Sequence, residues 1–339
     1  MFKSPLIAAV DTHTQGEPTR VVTGGVGHIP GSDMPSKKKW FSRHKDHIRR
    51  FLLWEPRGHQ DMFGAIVTDP TSPDAEVGLL FMDGGGYLDM CGHGCMGSVV
   101  ALIETGVVPV PEQEESIRSI ILDTPSGQIQ VKVHLSQGRC DQISLLMPPA
   151  FWHSRATVQL GEKFVPVDIA YGGNFFGLVN VESTGMHLDS GNVGELKKVA
   201  LALRQELNRR LTLVHPESGD KAEVALIELY HEGQPAKNVV IFGSGQVDRS
   251  PCGTGTCAKM AMLHKYGQLE CGDAYIQQGI LGTQFNGCIV QETTYGSWNA
   301  VISEVSGKAF VTGFHHFVAQ PQDPFEYGFQ LATHMPESR

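Results

Sequence analysis

Residues 90–97 read Met-Cys-Gly-His-Gly-Cys-Met-Gly, and residues 250–256 read Ser-Pro-Cys-Gly-Thr-Gly-Thr. Each holds a Cys-Gly-X-Gly turn that opens a stretch of helical character. A glycine closes each stretch at the same offset, Gly106 after Cys91 and Gly267 after Cys252. A unit built twice, about half a chain apart, predicts a duplicated lobe.

The flanking sequence repeats as well. In the first half, strand character at 6–10, 19–25, 63–68 and 76–82 brackets a helical segment at 35–53. In that segment Trp40, Phe41, His44, Ile48, Phe51 and Leu52 recur at helix spacing. A helix from about 95 to 105 precedes strands at 119–123, 128–135 and 142–147. Pro148-Pro149 then breaks the pattern and marks a lobe boundary. In the second half, strands at 164–171 and 175–181 lead to a helix at 193–209, with Leu196, Val199, Ala200, Leu203 and Leu207 on one face. Strands at 224–230 and 238–242 precede the Cys252 turn. Strands outnumber helices and do not alternate with them one for one. The expected class is α+β, with a mostly antiparallel sheet wrapped around a central helix in each of two pseudo-symmetric lobes. The first lobe is assigned to residues 1–150 and carries Cys91; the second, 151–316, carries Cys252. The last stretch, about 317–339, is expected to pack back onto the first lobe.

The totals narrow the function. A chain of 339 residues with 41% hydrophobic and 19% charged residues reads as globular, and its net charge of −9 offers no basic face for nucleic acid. No window approaches the roughly 18 uncharged apolar residues of a membrane span. The opening MFKSPLIAAVDTHTQGEP reads as a first strand rather than a signal peptide, because its apolar run is short and no cleavage-like site follows. Seven cysteines, an odd number in a chain of this length, suit a reduced, cytoplasmic compartment.

Three readings compete for the Cys91 turn. Gly92-X-Gly94-X-X-Gly97 matches a dinucleotide fingerprint in form, but the strand-rich sequence after Gly106 does not continue as the required βαβ unit. Cys91, His93 and Cys95, or Cys252 and Cys257, suggest zinc by spacing. However, Cys95 and Cys257 fall inside the helices beside apolar neighbours, where packing is the simpler role. The third reading rests on the helix start, where unpaired N–H groups and the peptide dipoles attract a carboxylate and favour a thiolate. Two such turns facing one another would hold one carboxylate and set a sulfur on each face of the adjacent carbon. That arrangement suits proton removal on one face and delivery on the other, inverting an amino-acid α-carbon with no cofactor and no metal. His93 and Asp248 lie close in sequence to these cysteines and are candidates for the substrate nitrogen.

At these residues the sequence resembles the proline racemase family. The likeness runs through DTHTQGEPTR, EPRGHQDMFG, FMDGGGYLDMCGHG, YGGNFF, NVVIFGSGQVDRSPCGTGT and GFHHF. It implies a diaminopimelate epimerase-like fold with the active site between lobes, a homodimer, and a small-molecule substrate. It also implies catalysis by Cys91 and Cys252, carboxylate contacts at Gly92, Gly253 and Thr254, and amine contacts at His93 and Asp248. Family dehydratases carry threonine in place of the second cysteine, so Cys252 argues against that activity. The aromatic pair that closes the pocket over proline maps to Phe63 and Phe242, making L- and D-proline the first expectation and 4-hydroxyproline the second. An amino-acid-binding protein or a thiol redox sensor is the alternative of another class.

Overall fold

The computed structural model describes residues 6–111, 115–217 and 219–331. Gln15 and Gly16, both at positive φ (51° and 103°), close a hairpin between strands Leu6–Thr14 and Glu17–Gly24. A two-residue turn of that hand matches the strands' twist. The chain crosses through helices α1 (Met34–His44) and α2 (Asp46–Leu53) to Gly64–Thr68, parallel to Glu17–Gly24 and antiparallel to Val77–Met82. It crosses again through α3 (Gly92–Glu104) to Glu115–Thr124, parallel to Val77–Met82. A meander through Gly127–Ser136 and Arg139–Leu146 follows.

The second half has the same order. Phe151–Leu160, Lys163–Tyr171 and Phe175–Asn180 run antiparallel, and α4 (Val193–Arg210) crosses to the parallel strand Val224–His231. Ala236–Phe242 pairs beside it, and α5 (Gly253–Lys265) crosses to its parallel neighbour Ala274–Gln278. Gln284–Tyr295 and Trp298–Gly307 complete the second meander. Each half is thus a largely antiparallel sheet with two helical crossovers, the expected α+β class. Trp298–Gly307 pairs with Arg139–Leu146, and the last strand, Ala309–Val318, with Leu6–Thr14, so one continuous sheet joins the halves. Beyond it Phe329 bridges Glu55, and Arg57 donates to the carbonyls of Phe325 and Glu326. Residues 332–339 of the expected return segment lie outside the described residues.

The single helix expected over 35–53 is two. Lys45, at φ −130° and ψ 12°, breaks it, and Asp46 starts α2 with its carboxylate held by Arg49 and Arg50. The break lets α2 bury Ile48, Phe51, Leu52 and Leu53, while Trp40 and His44 stack on each other nearer the surface.

Two helices are enclosed by protein. In α3 every residue from Gly92 to Ile103 is buried, and in α5 every residue from Gly253 to Met262. A helix buried on all sides needs partners on all sides. Cys95, Met96 and Val99 of α3 share one core cluster with Cys257, Met260 and Ala261 of α5. Among the described residues no helix is long and apolar enough to cross a membrane.

The packing of α3 against the first hairpin leaves no spare volume. A Cβ at Gly97 would lie 2.5 Å from Thr12 Oγ1 and 3.3 Å from Thr19 Cβ. Gly97→Val is therefore expected to destabilise the fold by about 1–3 kcal/mol through overpacking. Urea denaturation measures it, and an unchanged midpoint would contradict the packing described.

Candidate active site

Cys91 and Cys252 are the N-caps of α3 and α5. Cys91 is extended (φ −151°, ψ 117°), and its Sγ accepts the Gly94 N–H at 3.3 Å. Cys252 makes the same bond with Gly255 at 3.4 Å, but from φ 62° and ψ 106°, a conformation in which a non-glycine residue is strained. The two helix starts meet backbone to backbone. A Cβ on Gly92 would lie 3.3 Å from Gly253 Cα, and one on Gly253 would lie 3.4 Å from Gly92 Cα. Glycine at both positions permits that approach. With Gly94 and Gly255 bonded to the thiols, the earlier N–H groups of each first turn, those of Gly92, Gly253 and Thr254 among them, are ones that the helix itself does not pair.

Gly94 and Gly97 of α3 serve packing. The space beside Gly94 is filled by the rings of Phe63 and Phe81, at 3.0 and 3.1 Å from a built Cβ, and that beside Gly97 by Thr12 and Thr19. A nucleotide phosphate would need that space open. Cys95 and Cys257 are fully buried within the core. Among the described residues no group of three or more His, Cys, Asp or Glu is placed to hold a metal ion.

The remaining candidates divide between the two helix starts. On the Cys91 side, the His93 ring nitrogens lie 3.2 and 3.5 Å from Sγ, and Phe63 packs edge-on against His93 with centroids 4.5 Å apart. Thr14 Oγ1 donates to the His93 carbonyl at 2.9 Å and ties the first hairpin to this turn. On the Cys252 side, Thr254 Oγ1 lies 3.6 Å from Sγ, and Phe242 belongs to the apolar cluster that includes Cys252. Asp248 is buried and accepts the Ser250 N–H and Oγ–H, both at 2.8 Å, while Ser250 Oγ accepts the Cys252 N–H at 3.1 Å. Its sequence neighbour Arg249 pairs with Asp61 at 2.7 Å instead.

Burial dominates the electrostatics. It pushes Asp248 up to about 6 against the hydrogen bonds of Ser250, and takes His93 down to about 3, so that its imidazole is neutral. It also pushes both thiols well above their ordinary value. The Gly94 N–H draws Cys91 part of the way back, as Thr254 and the Gly255 N–H do for Cys252, while Asp248 adds to the rise at both, more prominently at Cys252. The helix starts alone predict lowered thiols; in this enclosed site the loss of water outweighs them.

Glu17 joins the site without a signal of its own beyond its place in DTHTQGEPTR. It is fully buried, its Oε2 accepts the Arg249 N–H at 2.7 Å, and its Oε1 has no hydrogen-bond partner. Burial and the neighbouring Asp248 push its carboxyl well above the usual range.

A sequence profile of the family described as proline racemase matches residues 9–330. The proline racemase of Clostridioides difficile is 44% identical over 331 residues, covering 96% of this chain and 98% of that one. The 4-hydroxyproline 2-epimerase of Streptosporangium roseum is 39% identical over 328 residues, covering 95% and 98%. Among solved structures, a hydroxyproline epimerase from Agrobacterium vitis with bound trans-4-hydroxy-L-proline superposes with a TM-score of 0.90 at 29% identity. That match covers 96% of this chain and 95% of the other.

Asp248 gives a measurable pH dependence. Its folded-state value, about 6, lies above that of an unfolded aspartate, so the folded protein binds the extra proton between roughly pH 4 and 6. Stability then falls as pH rises through about 6, where the buried carboxylate becomes charged. Asp248→Asn should raise stability at pH 8 by about 1–3 kcal/mol and change little at pH 4. Thermal unfolding across that range tests the sign; a variant destabilised equally at both pH values would refute it.

Proposed function

The chain belongs to the proline racemase family, and on that premise we propose that it interconverts L- and D-proline by two-base proton transfer between Cys91 and Cys252. The observation that carries this reading is the backbone contact of the two Cys-capped helix starts at Gly92 and Gly253. The substrate carboxylate takes the N–H groups of Gly92, Gly253 and Thr254. His93 and Asp248 attend the ring nitrogen. One cysteine, as thiolate, removes the α-proton, and the C–H electron pair passes into the carbon and its carboxylate. The opposite cysteine, as thiol, delivers its proton to the other face. The enzyme ends with its thiol protons exchanged and is ready for the reverse reaction, with no cofactor required. Helix-start N–H groups in a site without bulk water stabilise the added negative charge of the intermediate. The substrate brings its own ammonium, which offsets part of the burial that raises the thiols.

Phe63 and Phe242 support proline over its hydroxylated relative. Rings over a bare pyrrolidine bury apolar area, whereas a hydroxyl there lacks a partner at a cost of about 1–3 kcal/mol. The solved neighbour with bound trans-4-hydroxy-L-proline keeps 4-hydroxyproline as the second substrate to test. Seven free thiols support a reducing, cytoplasmic setting, and a homodimer is the assembly proposed.

Incubation with L-proline and, separately, trans-4-hydroxy-L-proline in heavy water should incorporate α-deuterium, with optical rotation falling to zero for proline and shifting to that of a diastereomer mixture for any hydroxyproline turned over. The expected preference for proline in kcat/KM is roughly 5- to 150-fold, the equivalent of that hydroxyl cost. Faster turnover of hydroxyproline would reassign the substrate, and two unchanged samples would remove the racemase reading. Cys91→Ser and Cys252→Ser should each lose about a thousandfold or more, because paired groups act as one unit. Substantial racemisation by either variant would overturn the two-base scheme.

A further inference from the structure

The two thiols have unequal surroundings. Gly94 and Gly255 occupy the same place in the two turns, each giving its N–H to a cysteine Sγ. Phenylalanine rings stand behind Gly94. A carboxylate stands behind Gly255: a Cβ built there would lie 2.6 Å from Glu228 Oε2 and 3.2 Å from Cys252 Sγ. Glu228, on strand Val224–His231, is fully buried, and neither of its oxygens has a hydrogen-bond partner of ordinary geometry. Against burial, the Asn238 side chain approaches it and lowers its carboxyl most, and Lys259 of α5 attracts it at longer range. That ammonium is itself buried, with Nζ over the Tyr230 ring at 3.1 Å.

The donors differ in the same sense. Cys91 has a neutral imidazole at 3.2 Å, able to give a thiolate an N–H, whereas Cys252 has a hydroxyl at 3.6 Å. Asp248, with Ser250 on one oxygen, is an acceptor for the Cys252 S–H. Resting on the two-base reading above, we infer that Cys91 is the more readily ionised of the two thiols, the one that becomes the thiolate, and Cys252 the one that keeps its proton. Glu228 is a positioning residue that reinforces this assignment beside Asp248, by holding negative charge behind Cys252. Other charges bear on the pair. Cys95, Asp248 and Glu17 press on Cys91, but Asp248 acts there only after Cys95, whereas at Cys252 it is second to burial alone. An enzyme biased in this way accepts one enantiomer directly and must exchange its thiol protons before accepting the other.

Cys91 and Cys252 are equally covered, at 7% and 5% exposure, so the rate of a small alkylating probe reports their thiolate fractions rather than access. Substoichiometric iodoacetamide at pH 8, followed by peptide mass spectrometry, should modify Cys91 about tenfold faster than Cys252. The ratio should fall as pH is lowered from 8 to 6: Glu228, pushed by burial up to about 7, and then Asp248, at about 6, take protons, while Lys259, lowered by burial to about 8, gains its full charge beside Glu228. Glu228→Gln should lower the ratio at pH 8 without bringing it to one, because Asp248 and the His93 contact remain, and Glu228→Asp, which keeps the charge, should retain the full bias. Equal labelling of the unaltered protein at pH 8, or preference for Cys252, overturns the assignment without any variant. A folded Glu228→Gln protein with an unchanged ratio overturns the role of Glu228. α-Deuterium exchange on the same preparation separates the two readings. Exchange with equal labelling refutes this inference alone, whereas biased labelling without exchange refutes the racemase and leaves the thiol assignment standing.

Discussion

Everything in this protein depends on two helix N-termini pressed together at Gly92 and Gly253. Helix starts carry partial positive charge, so their contact is repulsive until something negative lies between them. The fold imposes that contact by burying α3 and α5 on all sides, where apolar enclosure is strong enough to hold like poles together. The four crossovers and the two inter-half strand pairings serve this placement. They bring residues from opposite ends of the sequence to one point and fix them there through a continuous sheet.

The parts legible in the sequence are those decided locally. Each Cys-Gly-X-Gly stands directly before a run of helical character, so Cys91 and Cys252 announce themselves, and strand alternation gives the sheet. The break at Lys45 is not legible, because nothing in a lysine forbids a continuous helix; what α2 buries decides it. The direction of the thiol shift is not legible either, since the local dipole and the tertiary burial oppose one another and sequence displays only the first. Glu17 and Glu228 belong to the same class. A glutamate in a string of letters looks solvated, and only the assembled structure shows both of them buried with unpaired oxygens.

Duplication solves a geometric problem only in part. Mirror-image substrates call for two bases in mirror-related positions, yet two copies of an L-polypeptide are related by rotation and cannot be mirror images. The two turns have accordingly diverged in detail. Cys91 is extended and backed by Phe63 and Phe81, whereas Cys252 is at positive φ and backed by Glu228. Shared Cys-Gly-X-Gly architecture sets the sulfurs, and unshared neighbours tune them separately.

The backbone of Cys252 also bears on how this position changes over evolutionary time. At φ 62° any side chain with a Cβ carries strain of about 1–3 kcal/mol, and glycine alone escapes it. Selection for foldedness acting by itself would therefore move this codon towards glycine. On the two-base reading proposed above, a cysteine stands here at that cost because the reaction needs its sulfur. Cys91, in an ordinary extended conformation, faces no such pull. A lineage relieved of the reaction would be expected to lose the second thiol before the first, and to gain stability as it did so.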